Sequence, residues 1–337
     1  MKRFFFLGDF ESDTGPGVAD RMIQKGLGNR ENIRFSRRKN KILRIAEMVW
    51  GISTADCVCF CSYSRSNLFA FRLCKMLHKK TAYIMHGYME RESKIANADE
   101  ETLKAVKSYE RTVFSASDRL ICVSKGFMEY MIQAEPEFSD KFEYIYNAVD
   151  LEEVNEDKNR LKKLKSINDK QIEFRIVSLG GGMRRKKNLA VCNAINELIN
   201  EGYNIKYTVI GESENDGDAI RAYGFVEYHE KLPRAEVMSC MKAADLYIQN
   251  SSFETFGIAP IEALLCGCSI LISRNIGMKT LVKECDDMII KDDSELKTMI
   301  AEVMKEPNHD RVMACFDLDA IKPEKAAERL CGILESL

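Results

Sequence analysis

At 337 residues the chain exceeds what one hydrophobic core usually serves, so two domains are expected. With 45% hydrophobic and 30% charged residues, six prolines and a net charge of −2, it reads as an ordinary soluble globular sequence. The first apolar run, Phe4 to Leu7, stops at Gly8 and Asp9, and no later run approaches a membrane-spanning length, so neither a signal peptide nor a spanning helix is expected and the predicted location is the cytoplasm. Among twelve cysteines, Cys57, Cys59 and Cys61 alternate along a predicted strand and no CxxC pair occurs, which points to reduced core thiols rather than disulfides or zinc.

Arg3 to Leu7 is a first strand, followed by Gly15, Pro16 and Gly17 before an apolar-periodic helix. A glycine loop after the first strand of an α/β domain lies at the carboxyl edge, where ligands bind, although it lacks GxGxxG spacing and also fits a tight turn without ligand. From Arg21 to Trp50, nine Lys or Arg residues stand against two acids, including Arg37, Arg38, Lys39 and Lys41. A second basic helix, Arg65 to Lys80, interleaves Phe69, Phe71, Leu73, Met76 and Leu77 with Arg72, Lys75, Lys79 and Lys80. Solvated helix faces are the commoner meaning of such patterns; contact with anionic lipid is the alternative, and nucleic acid fits poorly because no stacking aromatics interleave with the cations. Strands follow at Asp56 to Cys61 and Thr81 to Met85, the latter ending in His86-Gly87, and Arg119 to Val123 leads into Ser124. A histidine in that place is either a turn residue or a site residue.

Leu151 to Gln171 is charged and helical in pattern, a linker into a second α/β unit. Alternation restarts with the strand Glu173 to Leu179, then Gly180-Gly181-Gly182-Met183-Arg184-Arg185-Lys186-Lys187 and a helix with Leu189, Val191, Ala194, Ile195 and Leu198 on one face. Three glycines and four cations between a strand and a helix suggest an anion site. Ile205 to Ile210, the segment after Gly224, and a helix from Pro233 to Ala244 come next. Then Leu246 to Gln249 and Ile270 to Ser273 flank a loop and a short helix, with Pro260 in its first turn and Gly267 at its exit. The amides of Gly257, Ile258 and Ala259 would point past the sheet edge toward an anion, and Glu254 and Glu262 bracket that turn. Carboxylates beside an anion site suit hydroxyl groups as partners, as a phosphate between two sugars provides; a helix-dipole role for Glu262 and a solvated Glu254 are the plainer alternative.

The stretch E-T-F-G-I-A-P-I-E-A-L-L-C-G-C resembles the E-x7-E signature of retaining GT-B glycosyltransferases of the family 4 type. The resemblance covers nearly the whole chain and is clearest over residues 173 to 282. It implies an α/β fold of GT-B architecture, two Rossmann-like domains facing across a cleft: residues 1–150 on the acceptor side, a linker at 151–171, a nucleotide-sugar domain at 172–322, and a C-terminal helix, 323–337, returning to the first domain. It further implies that Glu254 contacts the donor sugar, Glu262 holds the ribose diol, and the Gly257 to Ala259 amides hold the diphosphate, with Thr255 and Phe256 in the same donor-binding turn. Gly15 and Gly17 would face the donor phosphates, His86 the sugar or acceptor, and Val226 the base; Tyr228 beside it is either a stacking or a surface residue. Relatives place an arginine after the first glycine and a lysine before a small residue. Lys187 before Asn188 matches the lysine, whereas Gly181 or Gly182 occupies the arginine position, leaving Arg184 or Arg185 to substitute.

The expected activity is transfer of a hexose or related sugar from a UDP- or GDP-sugar to a hydroxyl of a glycan or lipid-linked glycan, with retention, in cell-surface polysaccharide or glycolipid assembly. No metal and no other cofactor is expected, since no Asp-x-Asp motif accompanies the site. Three alternatives remain at this level: a GT-B nucleotide-sugar 2-epimerase, a noncatalytic nucleotide-binding partner, and, least in keeping with the absent GxGxxG motifs, a Rossmann oxidoreductase.

Overall fold

A computed structural model describes residues 1–12, 14–38, 40–64, 66–151 and 170–337. The chain divides into two compact units, Met1–Asp150 with Leu318–Leu337, and Leu151–Asp317. Most of the expected linker helix, 152–169, lies outside the described residues.

In the first unit, β1 (Phe4–Leu7), α1 (Gly15–Leu27), β2 (Ile33–Phe35), α2 (Lys41–Thr54), β3 (Cys57–Phe60), α3 (Ser66–Met76), β4 (Lys80–Met85), α4 (Met89–Ile95), α5 (Glu100–Ala116), β5 (Arg119–Cys122), α6 (Lys125–Ala134) and β6 (Phe142–Tyr144) alternate. The strands form one parallel sheet in the order β2-β1-β3-β4-β5-β6, with Phe6 opposite Cys59 and Phe60 opposite Tyr83. Every residue of β1 and β3 is buried, as a parallel sheet covered by helices on both faces requires. The twelve cysteines are all free thiols, and burial pushes those of Cys61 and Cys122 well up.

The C-terminal helix, Pro323–Glu335, packs on α1. Gly26 is what permits the approach, since a β-carbon there would run into the Pro323 carbonyl. Ile321 accepts from the Val149 amide at 3.0 Å, and the Arg329 guanidinium lies 3.9 Å from the centre of the Tyr144 ring.

The second unit contains β7 (Phe174–Leu179), α7 (Asn188–Asn200), β8 (Ile205–Ile210), α8 (Gly217–Arg221), β9 (Val226–His229), α9 (Arg234–Ala243), β10 (Leu246–Gln249), α10 (Ile258–Leu265), β11 (Ser269–Ser273), β12 (Ile289–Ile290), α11 (Leu296–Lys305) and α12 (His309–Cys315). Its parallel sheet runs β12-β11-β10-β7-β8-β9. Leu179 pairs with Ile210 and Ile210 with His229, so these three residues mark the carboxyl edge, above a core that includes Ile176, Ile195, Tyr207 and Leu271. The short strands β2 and β12 were not foreseen; three residues and two residues carry no usable periodicity.

Candidate active site

The carboxyl edge of the second sheet brings together loops from β7, β10 and β11. After Leu179 the chain turns over β8: the Gly180 and Gly181 amides both donate to the Ile210 carbonyl, at 2.7 and 3.1 Å, and the Gly182 amide donates to Glu212 at 2.9 Å. These amides are therefore committed to the β8 turn, and the triplet is not the anion cradle its sequence suggests. A β-carbon on Gly182 would overlap the Ser213 carbonyl oxygen, and one on Gly181, whose φ is +52°, would overlap that of Glu212. Backbone packed against backbone leaves no room for an arginine at either position.

The charge enters one turn later. Arg184–Lys186 form a short 3-10 turn from which Lys186 donates through Nζ to Glu254 Oε2 at 2.6 Å and Arg185 through Nη1 to the same oxygen at 3.2 Å, joined by Gln249 Nε2 at 3.1 Å. Arg184 is exposed. Lys187, at a φ of +54°, turns away: its ammonium donates to both oxygens of Asp293, at 2.9 and 3.0 Å, and Asn250 donates to that carboxylate as well. Thus Arg185 and Lys186 converge on Glu254, whereas Lys187, the match by spacing, does not. Burial pushes the Glu254 carboxyl up, but the Lys186 ammonium and then the Arg185 guanidinium outweigh it and hold the group below its ordinary value.

The turn from β10 into α10 is fixed by its backbone. Ser252 donates its amide to Arg185, Glu254 to Asn275, Gly277 to Glu254 and Met278 to Phe256, at 2.7 to 3.1 Å. Thr255 and Phe256 are buried and anchor the turn. Gly257 has a φ of +93°, and a β-carbon there would lie 2.7 Å from Ile276 Cγ2. The amides of Gly257, Ile258 and Ala259 donate to no acceptor among the described residues. They form the N-terminus of the helix Ile258–Leu265, an arrangement that attracts an anion. One turn on, buried Glu262 accepts from Arg234 Nη2 at 2.7 Å, the guanidinium coming from the start of α9.

Val226 requires correction. It opens β9 opposite Tyr207, at the amino end of the strand, whereas the carboxyl edge is reached at His229 and continues through Glu230–Pro233 to Arg234. The position that the resemblance implies for the base therefore falls at the amino end of the strand, away from the carboxyl edge. Tyr228 donates its hydroxyl to the Glu212 carbonyl and carries Arg221 over its ring at 4.1 Å, a structural role.

In the first unit, His86 closes β4 as expected and its Nε2 lies 2.9 Å from Asp20 Oδ1. Asp20 is buried on α1; burial pushes its carboxyl up against the pull of His86, and its other oxygen lacks a hydrogen-bond partner. It was not singled out from the sequence, although an acid on the stripe shared with Ile23 and Leu27 is the signal that marks it. Gly17 fits against Ser12 and donates to Thr14 Oγ1, while Gly15 is exposed with open space around it. No group of three or more His, Cys, Asp or Glu side chains suited to a metal ion occurs among the described residues.

Two family profiles match the chain: "Glycosyltransferase Family 4" over residues 11–153 and "Glycosyl transferases group 1" over residues 157–314. Together they leave out only residues 1–10, 154–156 and 315–337. Among solved structures, HepE of Anabaena in complex with UDP and glucose is 14% identical with a TM-score of 0.71, each chain covered in full. Sucrose-phosphate synthase of Thermosynechococcus elongatus is 15% identical with a TM-score of 0.67, again over the whole of both chains. A Klebsiella pneumoniae protein described as an uncharacterized 41.2 kDa protein in the cps region is 22% identical over 221 residues, 64% of this chain and 58% of that one. With a glycosyltransferase profile matching each unit and a parallel sheet in both, the chain belongs to the group 1 glycosyltransferases and has the GT-B architecture.

Proposed function

We propose that the protein is a retaining glycosyltransferase that takes a sugar from a nucleoside diphosphate sugar, with UDP the first nucleotide to test, and moves it to a hydroxyl group of a glycan or lipid-linked acceptor in surface polysaccharide or glycolipid assembly. The observation that carries this reading is the convergence of Lys186 and Arg185 on Glu254, three residues before the unpaired amides of Gly257 to Ala259. In this reading the amides and the two cations take the diphosphate, Glu254 a sugar hydroxyl, Glu262 the ribose, and the backbone of Glu230–Pro233 the base. Arg185 and Lys186 supply the charge for which relatives use an arginine at the position of Gly181 or Gly182, so its absence does not favour a noncatalytic partner.

As the bond from sugar C1 to the β-phosphate oxygen breaks, negative charge grows on the leaving diphosphate; fixed cations and amides stabilise that charge more than the ground state. The acceptor oxygen bonds to C1 on the same face, and its proton passes to the leaving phosphate oxygen. No metal ion is required for this step, because Lys186, Arg185 and the helix amides hold the charge. His86, oriented by Asp20, is assigned to the sugar or acceptor. Work at the cytoplasmic face of a membrane belongs to the proposal; among the described residues no helix is long and apolar enough to cross one.

The HepE structure contains UDP and glucose, which makes UDP-glucose the first donor to try. The test is incubation of the full chain with UDP-glucose, then other UDP- and GDP-sugars, with a panel of glycan and lipid-linked acceptors, and NMR of the product's anomeric proton. Acceptor-dependent UDP or GDP release with the donor's anomeric configuration kept is the expected result. An epimerised sugar formed without acceptor would replace this reading by the epimerase.

A further inference from the structure

The first unit leaves an unusual surface uncovered. On α2, Ile42, Leu43, Ile45, Val49 and Trp50 are all exposed, Ile42 at 77% and Trp50 at 54%. On α3, which packs beside it, Phe69 and Met76 are exposed, as is Leu77 just past its end, while Phe71 and Cys74 face the core. Scattered apolar residues at a surface are normal; seven large ones on two adjacent helices, with an eighth just past the second, are not. Cations surround them: Arg34 lies over the Trp50 ring at 4.4 Å, and Arg72 and Lys75 are exposed on α3. The only acid in α2 or α3 is Glu47, and both its oxygens are occupied by the Arg37 and Arg38 amides at 3.0 to 3.1 Å.

Arg37 and Arg38, so clamped, line a cleft of about 230 Å³ between the ends of β1 and β2, together with Arg44 of α2. Asp9 and Glu11 also line the cleft, so it carries three guanidinium groups against two carboxylates. None of the three arginine side chains has a carboxylate partner among the described residues, and Arg44 is half-buried.

We propose that the α2–α3 face docks on an anionic bilayer, with Ile42, Ile45, Trp50, Phe69 and Met76 entering the headgroup and acyl boundary and Arg37, Arg38 and Arg44 seating a lipid phosphate in the cleft. Charge complementarity selects this occupant: apolar side chains ringed by cations, with an arginine-capped tryptophan, fit a phosphate-bearing interface, where a protein groove would require matching acids. The inference rests on the membrane part of the proposed function and locates it on residues outside the donor site.

The test is flotation of the full chain with phosphatidylcholine vesicles, with and without phosphatidylglycerol, and calorimetric titration of UDP on the same samples. Wild type is expected to float only with the anionic vesicles. The triple variant Arg37→Ala/Arg38→Ala/Arg44→Ala should lose roughly fivefold in partitioning per arginine, on the order of a hundredfold together. Ile42→Ser/Ile45→Ser/Trp50→Ser should lose binding too, and both variants should bind UDP as wild type does. Failure of wild type to float, or flotation of either variant at the wild-type level, overturns the proposal. So does release by inorganic phosphate while the serine variant still floats, which would mark a pocket for a soluble phosphate. UDP binding without flotation sinks this inference alone, and flotation without nucleotide binding sinks the donor reading alone.

Discussion

Replacing Lys186 by alanine should damage the enzyme far more than replacing Lys187. Lys186 is 12% exposed and Glu254 17%, with 2.6 Å between ammonium and carboxylate, so the pair sits in a poorly solvated place. Breaking a buried ion pair usually costs about 3–5 kcal/mol. Here Arg185 and Gln249 remain on the same oxygen, and a loss of about 1–2 kcal/mol is the reasoned figure for Lys186→Ala. Its functional loss should be larger: a charge-assisted hydrogen bond to the diphosphate contributes about 1.5–3 kcal/mol, hence roughly ten- to hundredfold in UDP affinity. Turnover should fall about 10²- to 10³-fold, as when a preorganised donor is removed. Lys187 is 39% exposed and its partner Asp293 42%, a pair whose removal changes stability by about 0–1 kcal/mol. Urea denaturation and UDP calorimetry on both variants, followed by turnover, separate the two. If Lys187→Ala loses UDP binding while Lys186→Ala keeps it, the assignment of the diphosphate cation is wrong.

Three other consequences follow from the geometry. Glu262→Ala should weaken UDP binding at least tenfold, the effect of losing a charged hydrogen-bond acceptor, and an unchanged dissociation constant by calorimetry would remove the ribose role. Gly182→Ala forces a β-carbon onto the Ser213 carbonyl and should destabilise the second unit by about 3 kcal/mol or more, read as a lowered urea midpoint; a wild-type midpoint would show that the loop is not packed as described. In the first unit, burial is the main force that pushes the Glu110 carboxyl up to about 7, against the Met89 and Glu90 amides that donate to it. Its folded pKa exceeds its ordinary value of 4.5, so protonation favours the native state. That contribution is complete below about pH 4.5 and is lost as pH rises through about 7, on the order of 3 kcal/mol in all. Glu110→Gln should flatten the wild-type decline between pH 5 and pH 8 in urea denaturation, and an equal decline in the variant would acquit Glu110.

Much of this was legible because the informative features are local. Gly257, the helix behind it and the two carboxylates eight positions apart read as one turn, and the apolar runs at Phe4, Cys57, Phe174, Leu246 and Ile270 read as covered parallel strands. What escaped depends on direction rather than identity. Spacing selects Lys187, but a left-handed backbone at that residue sends its side chain to Asp293 and leaves Lys186 on Glu254. The glycine triplet resembles an anion cradle until the amide partners are known, because only tertiary packing brings the β8 turn against it. The apolar positions of α2 resemble a core face by periodicity, and the fold leaves Ile42, Ile45 and Trp50 outside; in α3 it buries Phe71 and exposes Phe69. Asp20 escaped for the opposite reason, being an acid that the fold turns inward to meet His86.

The proposed nucleoside diphosphate site is built from Lys186, Arg185, the Gly257 to Ala259 amides and Glu262. Calorimetric titration of the purified chain with UDP, GDP and ADP, repeated with Glu262→Ala, tests it most directly. Saturable binding of one of the three, weakened at least tenfold in the variant, is the predicted result. If none of the three binds, or if the variant binds as tightly as wild type, the site is not where these residues place it.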